Sequence, residues 1–153
     1  MVRWLKSLFG NREFYPFETL ILEGVMHRVE GDVGLRLRQQ IEVVNQVQRH
    51  KYGREVNLYH VKNGKDAFND ELRFAEAPDE ELLACVVLEF IPKKGELKAD
   101  VWMAGGRVFS LEFDKPPKEF FFGMPLENVQ AQIINVTLVA DLQIENTFSS
   151  TSD

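Results

Sequence analysis

Residues 97–113 read LKADVWMAGGRVFSLEF, so that Gly105 and Gly106 separate two runs rich in apolar and aromatic residues. Two consecutive glycines between such runs are typical of a two-residue hairpin turn, because both central positions of that turn need positive φ. We therefore predict a two-stranded antiparallel hairpin that turns at these glycines, with Ala104 opposite Arg107.

Extending this register predicts which side chains share a face, because residues directly opposite each other in a hairpin point the same way. The expected core face carries Trp102 opposite Phe109, with Leu111 and Phe113 beyond them, and the other face carries Ser110 and Glu112. Asp100 falls opposite Leu111 in this register. It is therefore either a buried acid with a raised pKa or a residue at the exposed end of the core face.

Alternation of apolar and polar residues predicts further strands on both sides of the hairpin. One runs over residues 56–61 and stops at Asn63-Gly64, a turn signal. Residues 82–92 are nearly continuous in apolar side chains, which is typical of a central strand. Over residues 134–144 the even positions are apolar, and this pattern predicts a half-buried strand.

Helical spacing dominates the beginning of the chain. Apolar residues from Phe17 to Val29 recur at helical intervals, and Gly31 is placed to end that helix. Residues 35–50 fit a second helix that stops before Gly53, although their apolar residues also alternate in the manner of a strand. We favour the helix, because this segment is long for a strand and is rich in good helix formers.

Two helices followed by about five or six strands with short turns predict an α+β fold. In this fold, two N-terminal helices pack on an antiparallel sheet that contains the Gly-Gly hairpin at 104–107. The chain has 153 residues and contains no repeat or linker, so we expect residues 1–153 to form one domain. We expect the ends, residues 1–14 and 147–153, to be flexible.

The net charge of −6 argues against nucleic acid as a partner, because affinity for nucleic acid comes largely from neutralising phosphates. No apolar run approaches the ~20 residues that cross a bilayer, so no membrane partner is expected. Bases concentrate in residues 36–65, which we interpret as a solvated surface.

The single cysteine, Cys85, lies in an apolar run and has no second cysteine with which to form an internal disulfide. We interpret it as a buried small hydrophobe in preference to a reactive thiol. The N-terminus mixes charged residues with Leu and Phe and lacks the apolar core of a signal peptide. Together these features predict a cytoplasmic protein.

Residues that would carry recognisable chemistry are missing or are explained by structure. The three histidines, His27, His50 and His60, have no metal-ligand spacing, so neither a metal nor another cofactor is expected. Ser110 has no nucleophile-elbow context, and the glycine pair opens a strand and not a helix, which excludes a phosphate-binding loop. No catalytic residue is predicted, and an enzyme is the less favoured class.

Carboxylates on the predicted strands are the remaining candidates for acid–base chemistry, which needs only two of them. Glu89, Asp100 and Glu112 lie on adjacent predicted strands. The sequence leaves open whether Asp100 or Glu112 lines a site.

Three consecutive aromatic residues, Phe120, Phe121 and Phe122, follow two prolines and precede Gly123. Consecutive side chains point in different directions on either a strand or a helix, so regular structure does not bury all three rings. We expect at least one ring to be exposed or to close over a cavity, and we predict these residues as an interaction site. The alternative is that all three fill the core beneath an irregular loop.

Two functions from different classes follow from these observations. In the favoured one, the chain is a non-catalytic protein–protein interaction module, of immunity or accessory type, that binds another protein or itself. In the alternative, it is a small-ligand-binding or enzymatic domain with a pocket between the helices and the sheet. The residues of such a site would be Asp100, Glu112, Arg107, Tyr59 and His60.

Overall fold

The chain begins with two helices in a computed structural model, which describes residues 14–91 and 95–144. Helix α1 spans Pro16–Arg28 and helix α2 spans Gly31–Glu42. Proline suits the first position of α1 because the missing N–H has no helical partner there. Glu18 accepts a hydrogen bond of 2.8 Å from the backbone N–H of Tyr15, which caps the start of α1.

Within the described residues, eight strands, one short α-helix and two 3₁₀ turns (Asp70–Leu72 and Leu126–Asn128) follow. The strands are β1 (Gln46–His50), β2 (Glu55–Tyr59), β3 (Val61–Lys62), β4 (Lys65–Asp66), β5 (Glu80–Ile91), β6 (Glu96–Ala104), β7 (Arg107–Phe113) and β8 (Gln130–Leu138). Helix α3 (Pro117–Phe120) lies between β7 and β8.

Six of the strands form one antiparallel sheet with the order β1-β2-β7-β6-β5-β8. The strands β3 and β4 form a separate small hairpin that turns at Asn63 and Gly64, both of which have positive φ. The inner face of the sheet packs against α1 and α2, and the buried residues form one apolar cluster. This confirms the α+β fold with two N-terminal helices on an antiparallel sheet.

The hairpin turns at Gly105 and Gly106 with Ala104 opposite Arg107, as predicted. A β-bulge between Trp102 and Met103 shifts the pairing of β6 with β7, so the predicted register is wrong beyond the turn. Trp102 lies opposite Ser110 and not Phe109.

The bulge also changes which residues share a face. Val101, and not Asp100, lies opposite Leu111, while Asp100 lies opposite Glu112. Trp102 and Asp100 therefore point away from the helices, and the predicted common core face of Trp102, Phe109, Leu111 and Phe113 is wrong. Leu111 and Phe113 are the two of these four that are fully buried.

Residues 35–50 combine both patterns that the sequence showed. Helix α2 ends at Glu42, and β1 begins at Gln46, so the helical prediction is correct for the first half and wrong for the second. Strand β1 is an edge strand of the sheet. Val47 is buried because its side chain lies on the inner face of this strand, toward the core.

Two further boundaries differ from prediction. Helix α1 ends at Arg28, and Gly31 begins α2 where it was expected to end α1. Strand β8 begins at Gln130 and ends at Leu138, earlier than residues 134–144. A bulge in its pairing with β5 leaves Ile134 exposed and buries Val136. The expected flexible ends lie outside the described residues, except for Phe14, which packs against the core.

Candidate interaction surface

The three phenylalanines lie where α3 ends and the chain turns back toward β8. The backbone N–H of Phe121 donates to Pro117 at 2.8 Å, and the N–H of Phe122 donates to Glu119 at 3.2 Å. Gly123 then adopts a φ of +82°, which a residue without a Cβ adopts at low cost. The segment is therefore fixed by hydrogen bonds and by a tight turn.

Phe121 is a core residue, with 2% of its surface exposed. Its ring lies 4.6 Å from that of Phe90 and 4.8 Å from that of Phe120, both in edge-to-face arrangements. A tilted contact at 6.1 Å joins it to Phe17 of α1. Phe121 thus attaches the α3 segment to the core.

Phe120 is half-buried at the edge of the same cluster. Its ring lies 5.9 Å from that of Phe90, and the Nζ of Lys115 lies 5.3 Å from its centroid. The ring also covers Gly95, where an added Cβ would approach Phe120 Cζ to 2.9 Å. Phe120 therefore joins α3 to Gly95, the residue before β6.

Phe122 is the ring that faces solvent, with 92% of its surface exposed. Of the three predicted interaction residues, the structure thus leaves one fully available, one partly available and one buried. The expectation that at least one ring is exposed is met by Phe122. Phe121 contributes to any interface only through its packing.

Two other apolar side chains are exposed at the same end of the sheet. Tyr52, in the β1–β2 turn, is 64% exposed, and Ile91, at the end of β5, is 61% exposed. The carbonyl of Tyr52 accepts a hydrogen bond of 3.2 Å from the N–H of Lys118, so the β1–β2 turn touches α3. We call Tyr52, Ile91 and Phe122 the apolar end.

Sequence reasoning missed Tyr52 and Ile91. Lys51, Tyr52 and Gly53 all have positive φ in the β1–β2 turn, a conformation that the sequence indicates only at Gly53. A bulky residue in that conformation is uncommon and belongs to a tight turn, where its side chain is directed outward. Ile91 gave no signal, because it ends an apolar run.

The alternative site residues do not form one site. Asp100 and Glu112 are direct partners across β6 and β7. The Nδ1 of His60, by contrast, lies 2.5 Å from the carbonyl of Val43, in the connection between α2 and β1. Tyr59 packs its ring edge-to-face on Phe109 at 5.3 Å.

Arg107 has its own structural partners. Its Nη1 lies 3.3 Å from Asp66, and its guanidinium lies 4.1 Å from the centroid of the Phe68 ring. Backbone hydrogen bonding by Phe68, and then the ion pair with Arg107, hold the pKa of Asp66 below its ordinary value. These contacts attach residues 66–68 to the hairpin.

Cys85 is half-buried and points away from the helices. Burial raises the pKa of its thiol, and the neighbouring Asp100 carboxylate raises it further by accepting a hydrogen bond from the thiol. A raised pKa leaves the thiol protonated at neutral pH, which disfavours reactivity. Cys85 is therefore better described as a small hydrophobic residue than as a nucleophile.

A buried ion pair was also missed. Glu18 on α1 accepts from Arg49 on β1, with 2.9 Å from Nε and 2.5 Å from Nη2. The Arg49 guanidinium also lies 4.1 Å from the centroid of the Tyr15 ring. Burial raises the pKa of Glu18, and the pairing with Arg49 opposes that rise. This pair fixes the start of α1 to the sheet edge and is structural.

Two open grooves lie between the helices and the sheet. The larger, of about 690 Å³, is lined by Pro16, Phe17, Leu20 and residues 127–131. The smaller, of about 340 Å³, lies between residues 28–33 and the segment that follows β8. Neither groove is lined by Asp100, Glu112, Arg107, Tyr59 or His60.

Within residues 14–91 and 95–144, no three His, Cys, Asp or Glu side chains are arranged to hold a metal ion. None of the helices in that part of the chain is long and apolar enough to cross a bilayer. No protein-family model, curated protein or solved structure matches this chain.

Proposed function

We propose that this protein is a non-catalytic interaction module that binds another protein through the apolar end. The observation that carries the proposal is the contrast between Phe122, which is 92% exposed, and Phe121, which is buried beside it. The proposed module is of accessory type, of which an immunity protein is one kind.

The attachment of Phe122 favours binding. Phe121 is held in the core by edge-to-face contacts, and Gly123 completes the turn immediately after Phe122. The ring of Phe122 is therefore presented by a fixed backbone, so little conformational entropy is lost when a partner covers it. Burying one such side chain contributes about 1.5–3 kcal/mol, which is the scale of an interface hot spot.

Neighbouring side chains give the surface the composition of an interface. Tyr52 and Ile91 are exposed apolar side chains at the same end of the sheet, and the charged residues Lys51 and Lys118 lie in the β1–β2 turn and in α3. An apolar centre with a charged rim is the usual anatomy of a protein–protein interface.

The experiment is affinity purification with the wild-type chain and two variants. Phe122→Ser removes the proposed anchor, and Leu35→Ser removes a second exposed apolar side chain, 56% exposed, on α2. A partner retained by wild type and Leu35→Ser but lost by Phe122→Ser supports the proposal. Equal retention by both variants contradicts it, and sedimentation of the purified chain distinguishes a separate partner from a second copy.

The proposal includes a cytoplasmic location. Its support is the single cysteine, whose thiol donates to Asp100 and has a raised pKa. A protein that keeps a free thiol suits a reducing compartment. Fractionation of cells that produce the tagged chain tests this location.

The alternative function, binding of a small apolar ligand, has its support in the larger groove. Phe17, Leu20, Val129 and Ala131 supply apolar atoms there, and Glu127 is the one charged residue among those that line it. A saturable rise in melting temperature with a fatty acid or similar apolar ligand, abolished by Leu20→Glu, would favour this alternative.

A further inference from the structure

The side of the sheet that faces away from the helices, which we call the outer face, carries a row of carboxylates. Glu55 on β2 lies directly opposite Glu112 on β7, and Glu112 lies directly opposite Asp100 on β6. His50 on β1 and Cys85 on β5 continue the row on either side. Three neighbouring strands therefore place like charges side by side.

A second pair of like charges lies on the same face. Glu89 on β5 is directly opposite Glu96 on β6, and Gln132 donates a hydrogen bond to Glu89. Lys98 lies between this pair and Asp100 along β6, and it is the exposed base of that stretch. The outer face thus carries a second place where two carboxylates face each other.

Like charges directly opposite each other destabilise a strand pair. Lys51 offsets part of this by lying 3.8 Å from Glu55. Within the described part of the chain, neither Glu112 nor Asp100 forms an ion pair with a lysine or arginine. The row therefore retains uncompensated negative charge at its centre, where Glu112 is exposed.

Aromatic side chains adjoin the acidic row. Trp102 is two residues closer to the turn than Asp100 along β6, and it is half-buried opposite Ser110. Beyond it, Phe109 and Tyr59 meet edge-to-face at 5.3 Å. Aromatic faces beside carboxylates suit lysine and arginine, whose apolar stems and cationic heads contact both.

Two N–H donors at this end of the outer face have no hydrogen-bond partner within residues 14–91 and 95–144: Trp102 Nε1 and Arg107 Nε. The Arg107 side chain is 8% exposed, so this donor is unsatisfied in a nearly dry environment. A buried donor without an acceptor costs about 1–3 kcal/mol. Both nitrogens are inaccessible to solvent, so a backbone carbonyl oxygen of a bound peptide reaches them only where the covering side chains move.

We propose that the outer face binds a basic segment of a protein, with lysine or arginine side chains over the row Glu55, Glu112 and Asp100. This is a second surface, separate from the apolar end, and it does not depend on Phe122. A second copy of this chain is the disfavoured occupant, because two chains of net charge −6 repel each other.

The test is a fluorescence-anisotropy titration with a labelled ten-residue peptide of alternating lysine and glycine. The binding variant is Asp100→Asn with Glu112→Gln. The matched control is Asp79→Asn with Glu76→Gln, which removes the same two charges from an exposed loop outside the row. Both double variants keep the side-chain shapes and remove two negative charges. A difference in affinity between them therefore shows whether the position of those charges matters.

The expected result is saturable binding that weakens about tenfold or more in the outer-face variant and less than about twofold in the control. Amide chemical shifts on peptide addition should change in β2, β6 and β7. Equal weakening in the two variants would show diffuse attraction to an acidic protein and would overturn the proposal. Absence of saturable binding to wild type would overturn it as well.

Two further readouts separate this proposal from others. Phe122→Ser should bind the peptide as wild type does, so failure at the apolar end and failure at the outer face are distinguishable. If sedimentation of the wild type alone shows a dimer that the outer-face variant loses, the occupant is a second copy and the proposed basic partner is wrong.

Discussion

Gln40 on α2 joins the helix to the tip of the hairpin, although 68 residues separate it from Val108. Its Oε1 accepts from the N–H of Val108 at 2.9 Å, and its Nε2 donates to the carbonyl of Gly106 at 2.9 Å. The same Nε2 donates to the carbonyl of Leu72 at 2.6 Å. One buried amide thus bonds three backbone groups, from the hairpin turn, the start of β7 and the 3₁₀ turn at Asp70–Leu72.

Replacing this amide should strongly destabilise the fold. Gln40→Ala removes the side-chain partner of the buried Val108 N–H and of the Leu72 carbonyl. The Gly106 carbonyl keeps its hydrogen bond from the N–H of Phe74 at 2.8 Å. We therefore expect the free energy of unfolding to fall by more than about 2 kcal/mol. Gln39→Ala is the matched control, because Gln39 is exposed on the same helix and should change stability by less than about 0.5 kcal/mol. Urea denaturation of the two variants measures the difference, and equal losses would contradict the assigned role of Gln40.

The turn glycine Gly106 is constrained by both conformation and space. Its φ is +83°, and an added Cβ would lie 2.5 Å from the carbonyl oxygen of Phe74. Gly106→Val should therefore cost more than about 1 kcal/mol. Gly64→Val is the control, because Gly64 has a φ of +76° but nothing within 4 Å of an added Cβ. A similar loss in both variants would show that backbone strain, and not the clash with Phe74, sets the cost.

The buried pair Glu18 and Arg49 predicts a dependence of stability on pH. Arg49→Met leaves a buried carboxylate without its cation, which costs about 3–5 kcal/mol at neutral pH. The pKa of Glu18 is raised in the folded chain, so protonation favours the folded state. The stability that Arg49→Met loses should therefore return in part as the pH falls through that raised pKa.

Thermal unfolding of Arg49→Met between neutral and mildly acidic pH tests this expectation. The double variant Glu18→Gln with Arg49→Met is the control, because it has no buried carboxylate left to titrate. A single variant whose relative stability does not change with pH would contradict burial of a charged Glu18.

The carboxylate row predicts a gain of stability on losing a charge. Glu112→Gln removes repulsion from Glu55 and Asp100 on both sides, so we expect a stabilisation of about 0.2–1 kcal/mol at low salt. The gain should shrink at high salt, because exposed charges are screened there. Glu127→Gln is the control, since Glu127 lies outside the sheet. Calorimetry of both variants at low and high salt measures the change in stability. A stabilisation that salt does not reduce would contradict charge repulsion as its cause.

The local patterns of the sequence determined the elements and the fold class. Gly105 and Gly106 specified the hairpin turn, because a turn needs only a few neighbouring residues to adopt positive φ. The alternation over residues 56–61 and the apolar run over 82–92 gave β2 and β5 to within two residues at each end. These features depend on neighbours in the chain, which the sequence displays directly.

Residues 35–50 show where local patterns become ambiguous. Helical and strand periods were both present, because a helix and a strand meet there within a few residues. A pattern averaged over the whole segment cannot place the junction. The junction lies near Val44, where the chain leaves α2 and joins the edge of the sheet.

Tertiary structure alone decided which side chains are exposed and which are brought together. The bulge beside Trp102 inserts Phe109 as an extra residue on β7 and shifts the pairing with β6 by one residue. Trp102 and Asp100 therefore lie on the opposite face from the one predicted, since the side-chain period of a strand is two. Burial of Phe121 and exposure of Phe122 depend on Phe17 and Phe90, which lie far away in the sequence. The row Glu55, Glu112 and Asp100 exists only because three strands pair in one register. Such contacts join distant segments, and their geometry is set by the packing of the whole sheet against its helices.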